Sequence, residues 1–200
     1  MKNIFKLSSI LFHPLLVAYL GFAILSLRVS YFLYPLKMMS MIAGFTFLLM
    51  VVFPILILFI GYRLKVFKSL HFEQKEERYV PLLITGIVYY FAYYLLSTIK
   101  IPGILQLYLL GAVLTIILSI LISIVWKISL HMLSLGAVLG MVIGLSSRLS
   151  INFLPEILIL FMISGLVGSS RLYLKAHNKA QVYVGFSLGL VGMSLLFILL

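Results

Sequence analysis

Residues 170–181 read SRLYLKAHNKAQ. This short polar break separates two long apolar runs, and it holds Ser170, Arg171, His177 and Gln181 beside Lys175 and Lys179. An Arg guanidinium is a rigid planar fork that matches phosphate oxygens. An imidazole serves as a nucleophile or as a general acid. His177 and Gln181 stand four residues apart at an expected helix start, so they share a face and the Gln amide can orient the ring. Upstream, KISLHM carries Ser129 and His131. Further upstream, RLKVFKSLHFEQKEER (63–78) carries Lys68, His71, Lys75 and Arg78. Helix starts at Ser129 and near His177 present unpaired N–H groups that favour anions. The set suits phosphoryl transfer without a metal: cations spread the charge, one His attacks, and the other protonates the leaving oxygen.

What is missing narrows the chemistry. The chain has no Cys and no Asp, and its only acids are Glu73, Glu76, Glu77 and Glu156. Disulfides, thiolate nucleophiles and Cys-metal sites are therefore excluded, and a metal centre on paired carboxylates is disfavoured because hard cations want several oxygen ligands. No metal and no cofactor is expected. The formal net charge is +11, with the cations clustered between apolar runs. That distribution points to lipid headgroups or an anionic substrate rather than to nucleic acid, since no basic domain stands clear of the apolar runs. The partners expected are a lipid phosphate substrate and membrane lipids.

These residues must be positioned by apolar elements. The 200 residues are 64% hydrophobic, with mean hydropathy +1.26. Apolar runs cover Leu7–Leu27, Met38–Tyr62, Tyr79–Ile99, Ile101–Trp126, Ile128–Ser147, roughly Phe153–Ser169 and Ala180–Leu200, with Glu156 the one Asp, Glu, Lys or Arg inside them. About 20 residues suffice to cross a bilayer core as helix. No ten-residue alternation suggests a barrel, so the backbone must satisfy itself in helices. The expected fold is an all-α polytopic membrane bundle of about seven transmembrane helices, forming a single integral membrane domain over 1–200. The first run lacks a nearby small-x-small cleavage pattern and reads as a retained span. Lys100–Ile101–Pro102–Gly103 reads as a tight turn, and Asn152, Pro155 and Glu156 as a helix start. Gly136, Gly140 and Gly144, and likewise Gly185 and Gly189, recur at every fourth position. Such stripes let helix backbones approach closely, which predicts that spans five and seven are central.

Seven crossings put all three polar clusters on the side of the N-terminus. Eleven of the 15 Lys and Arg residues lie on that side, and Arg28, Lys37, Lys100 and Arg148 on the other. The positive-inside rule then leans the site to the cytoplasmic face of a bacterial inner membrane. Lys2, Lys6, Lys175 and Lys179 read as interfacial anchors. Tyr89, Tyr90, Tyr93 and Tyr94 read as helix packing and an interfacial belt. Segment 63–78 reads as a short amphipathic surface helix using Val66, Phe67, Leu70 and Phe72. His13 stands in span one before Pro14. It reads equally as a structural histidine at a kink or as an inward-facing ionisable group.

The SR-x5-H run, with Ser129-x-His131 and Arg78 upstream, resembles the three-part signature of the type 2 phosphatidic acid phosphatase family. These are membrane lipid phosphate phosphatases related to vanadium haloperoxidases. The family pattern is K-x6-RP, then PSGH, then SR-x5-H-x3-D. The third part matches at Ser170, Arg171 and His177. In the second, Ser129 and His131 match, with Ile128 and Leu130 in place of Pro and Gly. In the first, Arg78 matches, with His71 in the Lys position and Tyr79 in place of Pro. The similarity covers residues 60–200. It implies that His177 attacks phosphorus and forms a phosphohistidine, and that His131 protonates the departing alcohol. It further implies that Arg78, Arg171, Ser129 and Ser170, with Lys75 and His71 beside them, hold the phosphate oxygens. The family Asp that stabilises the nucleophilic His is Gln181 here. Two rival readings stay open: a relative that binds lipid phosphate without hydrolysing it, in a scaffold or transport role, and a small transporter with an anion site at its helix ends.

Overall fold

The computed structural model describes residues 2–28, 35–66 and 79–200. Lys68, His71, Lys75 and Arg78 lie outside the described residues, as do Phe67, Leu70 and Phe72 of the expected surface helix. Among the described residues every regular element is helical: α1 (Lys2–Leu11), α2 (Pro14–Arg28), α3 (Leu36–Phe47), α4 (Phe53–Arg63), α5 (Tyr79–Thr98), α6 (Gly103–Val125), α7 (Leu130–Leu149), α8 (Leu154–Tyr173) and α9 (Lys179–Leu199). One π-turn, Leu48–Val52, joins α3 and α4 into a single run of 28 residues. Pro54 explains it. A proline cannot donate to the carbonyl four residues back, and its ring crowds that oxygen. The wider turn ahead of it absorbs the misfit.

Among the described residues six helical runs are long and apolar enough to cross a bilayer, and the pair α1–α2, bent by 51°, makes a seventh if counted as one span. At 10 and 15 residues, neither α1 nor α2 reaches the ~20 residues a crossing needs. The Phe5 ring packs 4.6 Å from Tyr173, so the N-terminus lies at the C-terminal end of α8. Large apolar side chains on the outer faces, such as Leu158, Phe161 and Met162 of α8 and Val191, Leu195 and Ile198 of α9, are exposed. The hydrocarbon of a bilayer is the medium that accommodates them. This is an integral membrane protein.

The chain forms two compact units, Met1–Ala18 with Ile128–Leu200, and Tyr19–Lys127. In the second, α5 and α6 form the main helix pair. Their connection is the tight turn expected at Lys100–Gly103: Lys100 takes a left-handed φ of 54° and Ile101 N–H returns to the Leu96 carbonyl at 3.4 Å. Tyr79 Oη donates to the Ser123 carbonyl at 2.9 Å, and Tyr19 packs edge-on against Phe47.

The first unit carries the polar clusters of the C-terminal half. Its centre is α7, where 67% of the spanning window is buried, against 28% for α8 and for α9. The most extensive helix pair in the unit is α7 with α9. The glycines are the reason. A Cβ at Gly136 would lie 2.1 Å from the Phe186 carbonyl oxygen, at Gly140 2.2 Å from that of Leu190, and at Gly189 2.1 Å from that of Leu133. Backbone thus meets backbone, and only glycine leaves room. Span five is central as expected. Span seven is not: α9 buries one stripe, Val182, Gly185, Gly189, Met193 and Phe197, and turns the rest outward. Close approach needs one glycine face, not burial all round.

Candidate functional site

Four helix ends meet in the first unit. The short connection from α8 to α9 explains the spacing of Arg171 and His177. Arg171 sits in the last turn of α8. Lys175 takes a left-handed φ of 52°, with Ala176 N–H bonded to the Arg171 carbonyl at 3.1 Å and Lys175 N–H to that of Leu172 at 3.0 Å. This is a helix-ending Schellman turn, and it closes the orphan carbonyls of α8 within two residues. Asn178 then caps α9. The chain reverses between helices in the fewest residues that both end one and start the next.

The α9 cap settles the orientation of Gln181. Asn178 Oδ1 accepts from Gln181 N–H at 2.9 Å, and Gln181 Oε1 accepts from Asn178 N–H at 3.2 Å. This is a reciprocal capping box. A backbone N–H only donates, so the Gln181 atom facing it is the amide oxygen. The same oxygen lies 3.0 Å from His177 Nδ1. His177 Nδ1 must therefore carry a proton, and in the neutral form of the ring the lone pair lies on Nε2. Gln181 orients the buried His177 by accepting from it, and the tautomer is the one a nucleophilic Nε2 requires. The cap residue is Asn178, one position beyond the helix start placed near His177 from sequence.

Ser129 is the N-cap residue of α7, but its side chain makes no cap bond. It is fully buried, and its Oγ has no hydrogen-bond partner among the described residues. Its N–H bonds the Gln181 carbonyl at 3.2 Å, and its own carbonyl lies 2.9 Å from where a Cβ on Gly185 would stand. The first turns of α7 and α9 are thus pinned side by side. His131 is the second residue of α7, and its Nε2 is 3.0 Å from the Ser9 carbonyl. A carbonyl only accepts, so this nitrogen carries a proton. Arg171 Nη1 donates to Ser9 Oγ at 3.3 Å, while its buried Nε has no partner among the described residues. Arg171 lies within electrostatic reach of His13 and His131, and His177 within reach of His131. Ser170 is engaged otherwise: its fully buried Oγ lies 2.7 Å from Ser8 Oγ and 2.8 Å from the Leu166 carbonyl, tying α8 to α1.

The structure thus brings together Ser129, His131, Ser170, Arg171, His177 and Gln181, while His71, Lys75 and Arg78 lie outside the described residues. It also adds residues that the sequence reading passed over. Ser8 and Ser9 stand as adjacent hydroxyls in an otherwise apolar run, and Asn178-x-x-Gln181 has the spacing of a capping box. Both signals were present. Comparison with family models, with curated proteins and with solved structures returns no match.

The arrangement can bind an anion. It offers two buried donors without partners among the described residues, Ser129 Oγ and Arg171 Nε, beside the N-terminus of α7, whose first turn favours negative charge. A buried donor left unsatisfied costs roughly 1–3 kcal/mol, which a ligand oxygen returns.

Proposed function

We propose that this protein is a membrane phosphatase that hydrolyses a lipid phosphomonoester or pyrophosphate through a phosphohistidine on His177, with no metal. The observation that carries the reading is the Gln181 amide, locked by Asn178 so that it accepts from His177 Nδ1 and leaves Nε2 as the lone-pair nitrogen of the neutral ring, in a cluster of helix ends where Ser129 Oγ and Arg171 Nε have no hydrogen-bond partner among the described residues. In this scheme the His177 lone pair forms a bond to phosphorus as the bond from phosphorus to the leaving oxygen breaks. His131 acts as the acid in its imidazolium form: it gives its Nε2 proton to that oxygen, exchanging its contact with the Ser9 carbonyl for one with the leaving group, and is left as the neutral ring. The neutral His131 then takes a proton from water, which attacks phosphorus and releases phosphate and His177. Arg171, Ser129 and the α7 N-terminus hold the oxygens where charge accumulates. Arg78, Lys75 and His71 complete the phosphate-binding set in this proposal, as the sequence resemblance implies.

A binding protein without turnover is the second reading, and Gln181 favours it. A neutral amide stabilises the imidazolium form less than a carboxylate does. Gln181→Asp decides how much that matters. In a Ser-His-Asp triad the Asp→Asn change costs about 10⁴ in rate largely through the wrong tautomer. Here the tautomer is already right, so Gln181→Asp is expected to gain only about 10- to 100-fold. Phosphate release from a panel of lipid phosphates in detergent, with and without EDTA, measures it. Release from wild type that resists EDTA supports the enzyme. Phosphate binding with no release from either protein supports the binder.

The lean of Lys and Arg places the site on the cytoplasmic face in this proposal. The chain has no Cys, so a single Lys175→Cys variant reports one position. An impermeant thiol reagent is expected to leave it unlabelled in intact cells and to label it after lysis. Labelling in intact cells puts the site outside.

A further inference from the structure

His13 is the polar residue at the break between α1 and α2, and neither the capping geometry nor the phosphatase scheme uses it. Pro14 opens α2, a position where a missing N–H costs nothing and the fixed φ suits a helix. The bend therefore has its cause in Pro14 and does not require an imidazole. A histidine inside a membrane span is costly unless it faces polar groups. Polar groups are what His13 meets. Its ring packs edge-on against His131 with centroids 5.9 Å apart, and Arg171 is within electrostatic reach. Ser9, four residues earlier, bonds His131 through its carbonyl and Arg171 through its hydroxyl.

The protonation of His13 follows from its own backbone. Leu15 N–H donates to His13 Nδ1 at 3.4 Å, so that nitrogen holds the lone pair and Nε2 carries the hydrogen. Nε2–H makes no hydrogen bond among the described residues, and the side chain is exposed. It stands beside the two groups, His131 and Arg171, that face a bound anion in the scheme above.

We infer that His13 is a third histidine of the phosphate site, donating from Nε2–H to an oxygen of the bound phosphate. The inference rests on the reading of this cluster as a phosphate site. It makes the first span, through the break at residues 12–13, one wall of that site. A hydrogen bond to a charged oxygen is worth about 10- to 100-fold in affinity.

The test is binding of inorganic phosphate to the detergent-solubilised full chain, read by calorimetry and by ¹⁵N NMR of the histidine rings. Wild type is expected to bind, Arg171→Ala to lose binding, and His13→Ala to weaken it about 10- to 100-fold. His13→Gln, whose amide N–H₂ is also a donor, is expected to recover part of that loss. Pro14→Ala, which alters the break but keeps the imidazole, is expected to bind within about twofold of wild type. In wild type the His13 Nε2–H resonance shifts on adding phosphate. Normal binding by His13→Ala, with binding lost in Arg171→Ala, overturns the role of His13 and leaves the phosphate site standing. Equal losses in His13→Ala, His13→Gln and Pro14→Ala, with lowered thermal midpoints, make His13 a hinge residue and overturn the inference. No phosphate binding by wild type overturns the site itself, and the inference with it.

Discussion

His177→Ala is expected to lower phosphate release at least about 10⁴-fold while leaving the protein folded. The size follows from the role. If Nε2 forms the covalent bond to phosphorus, alanine removes the reaction path and not merely a contact. What is left in the proposed scheme is the contribution of Arg171, Ser129 and the α7 N-terminus, which there bind and polarise phosphate but supply no nucleophile. Loss of the Gln181–His177 bond does not unfold α9, because Gln181 keeps its reciprocal cap with Asn178. Two measurements check it. Single-turnover phosphate release should fall by that factor, and a trapped, acid-labile phosphoprotein seen in wild type should be absent. Wild-type release rates from a folded His177→Ala protein would remove the histidine from the chemistry.

The second large effect is on stability. Gly136→Ala together with Gly189→Ala is expected to destabilise the protein by about 2–6 kcal/mol, from about 1–3 kcal/mol of overpacking at each position. The new methyl at 136 would lie 2.1 Å from the Phe186 oxygen, and that at 189 would lie 2.1 Å from the Leu133 oxygen and 2.6 Å from Ala137 N. These obstacles are main-chain atoms, which no rotamer change moves. The helices α7 and α9 must separate. Gly165→Ala and Gly192→Ala are the matched controls, because nothing lies within 4 Å of a Cβ at either position. They are expected to be neutral or slightly stabilising, since alanine is the better helix former. Unfolding titrations in mixed micelles compare the pairs. Activity should fall with the first pair and not with the second, because the same interface holds Ser129 against the first turn of α9. Equal stability of the two pairs would mean that the helices do not pack through these glycines.

Several features of the site were legible before any fold was known. Arg171, His177 and Gln181 announced themselves by type and spacing, because a polar group in a membrane chain is expensive and each one asks for a reason. The side shared by the Ser129 and Ser170 clusters followed from counting crossings. What was not legible was the use of each group. Ser170 matches a motif, yet its hydroxyl is taken up by Ser8 and the Leu166 carbonyl. Ser9 matches none, yet it bonds both His131 and Arg171. A sequence assigns a hydroxyl to a place along a helix. It does not say which of several acceptors will stand opposite, since that depends on helix rotation and on a partner more than a hundred residues away.

The contrast between Gln181 and His13 separates the two sources of information. Amino-acid sequence alone determined the membrane helices, because a backbone in hydrocarbon has few other ways to satisfy its hydrogen bonds. It determined that His177 and Gln181 share a face, because four residues is one helical turn. It also determined the close α7–α9 approach in outline, since glycine at every fourth position has few other uses in a membrane span. Only the tertiary structure decided the rest. The bend at Pro14 could have pointed His13 in any direction; packing of α1 on α8 set it beside His131. A kink leaves the direction of the next segment open, and contacts distant in sequence close it.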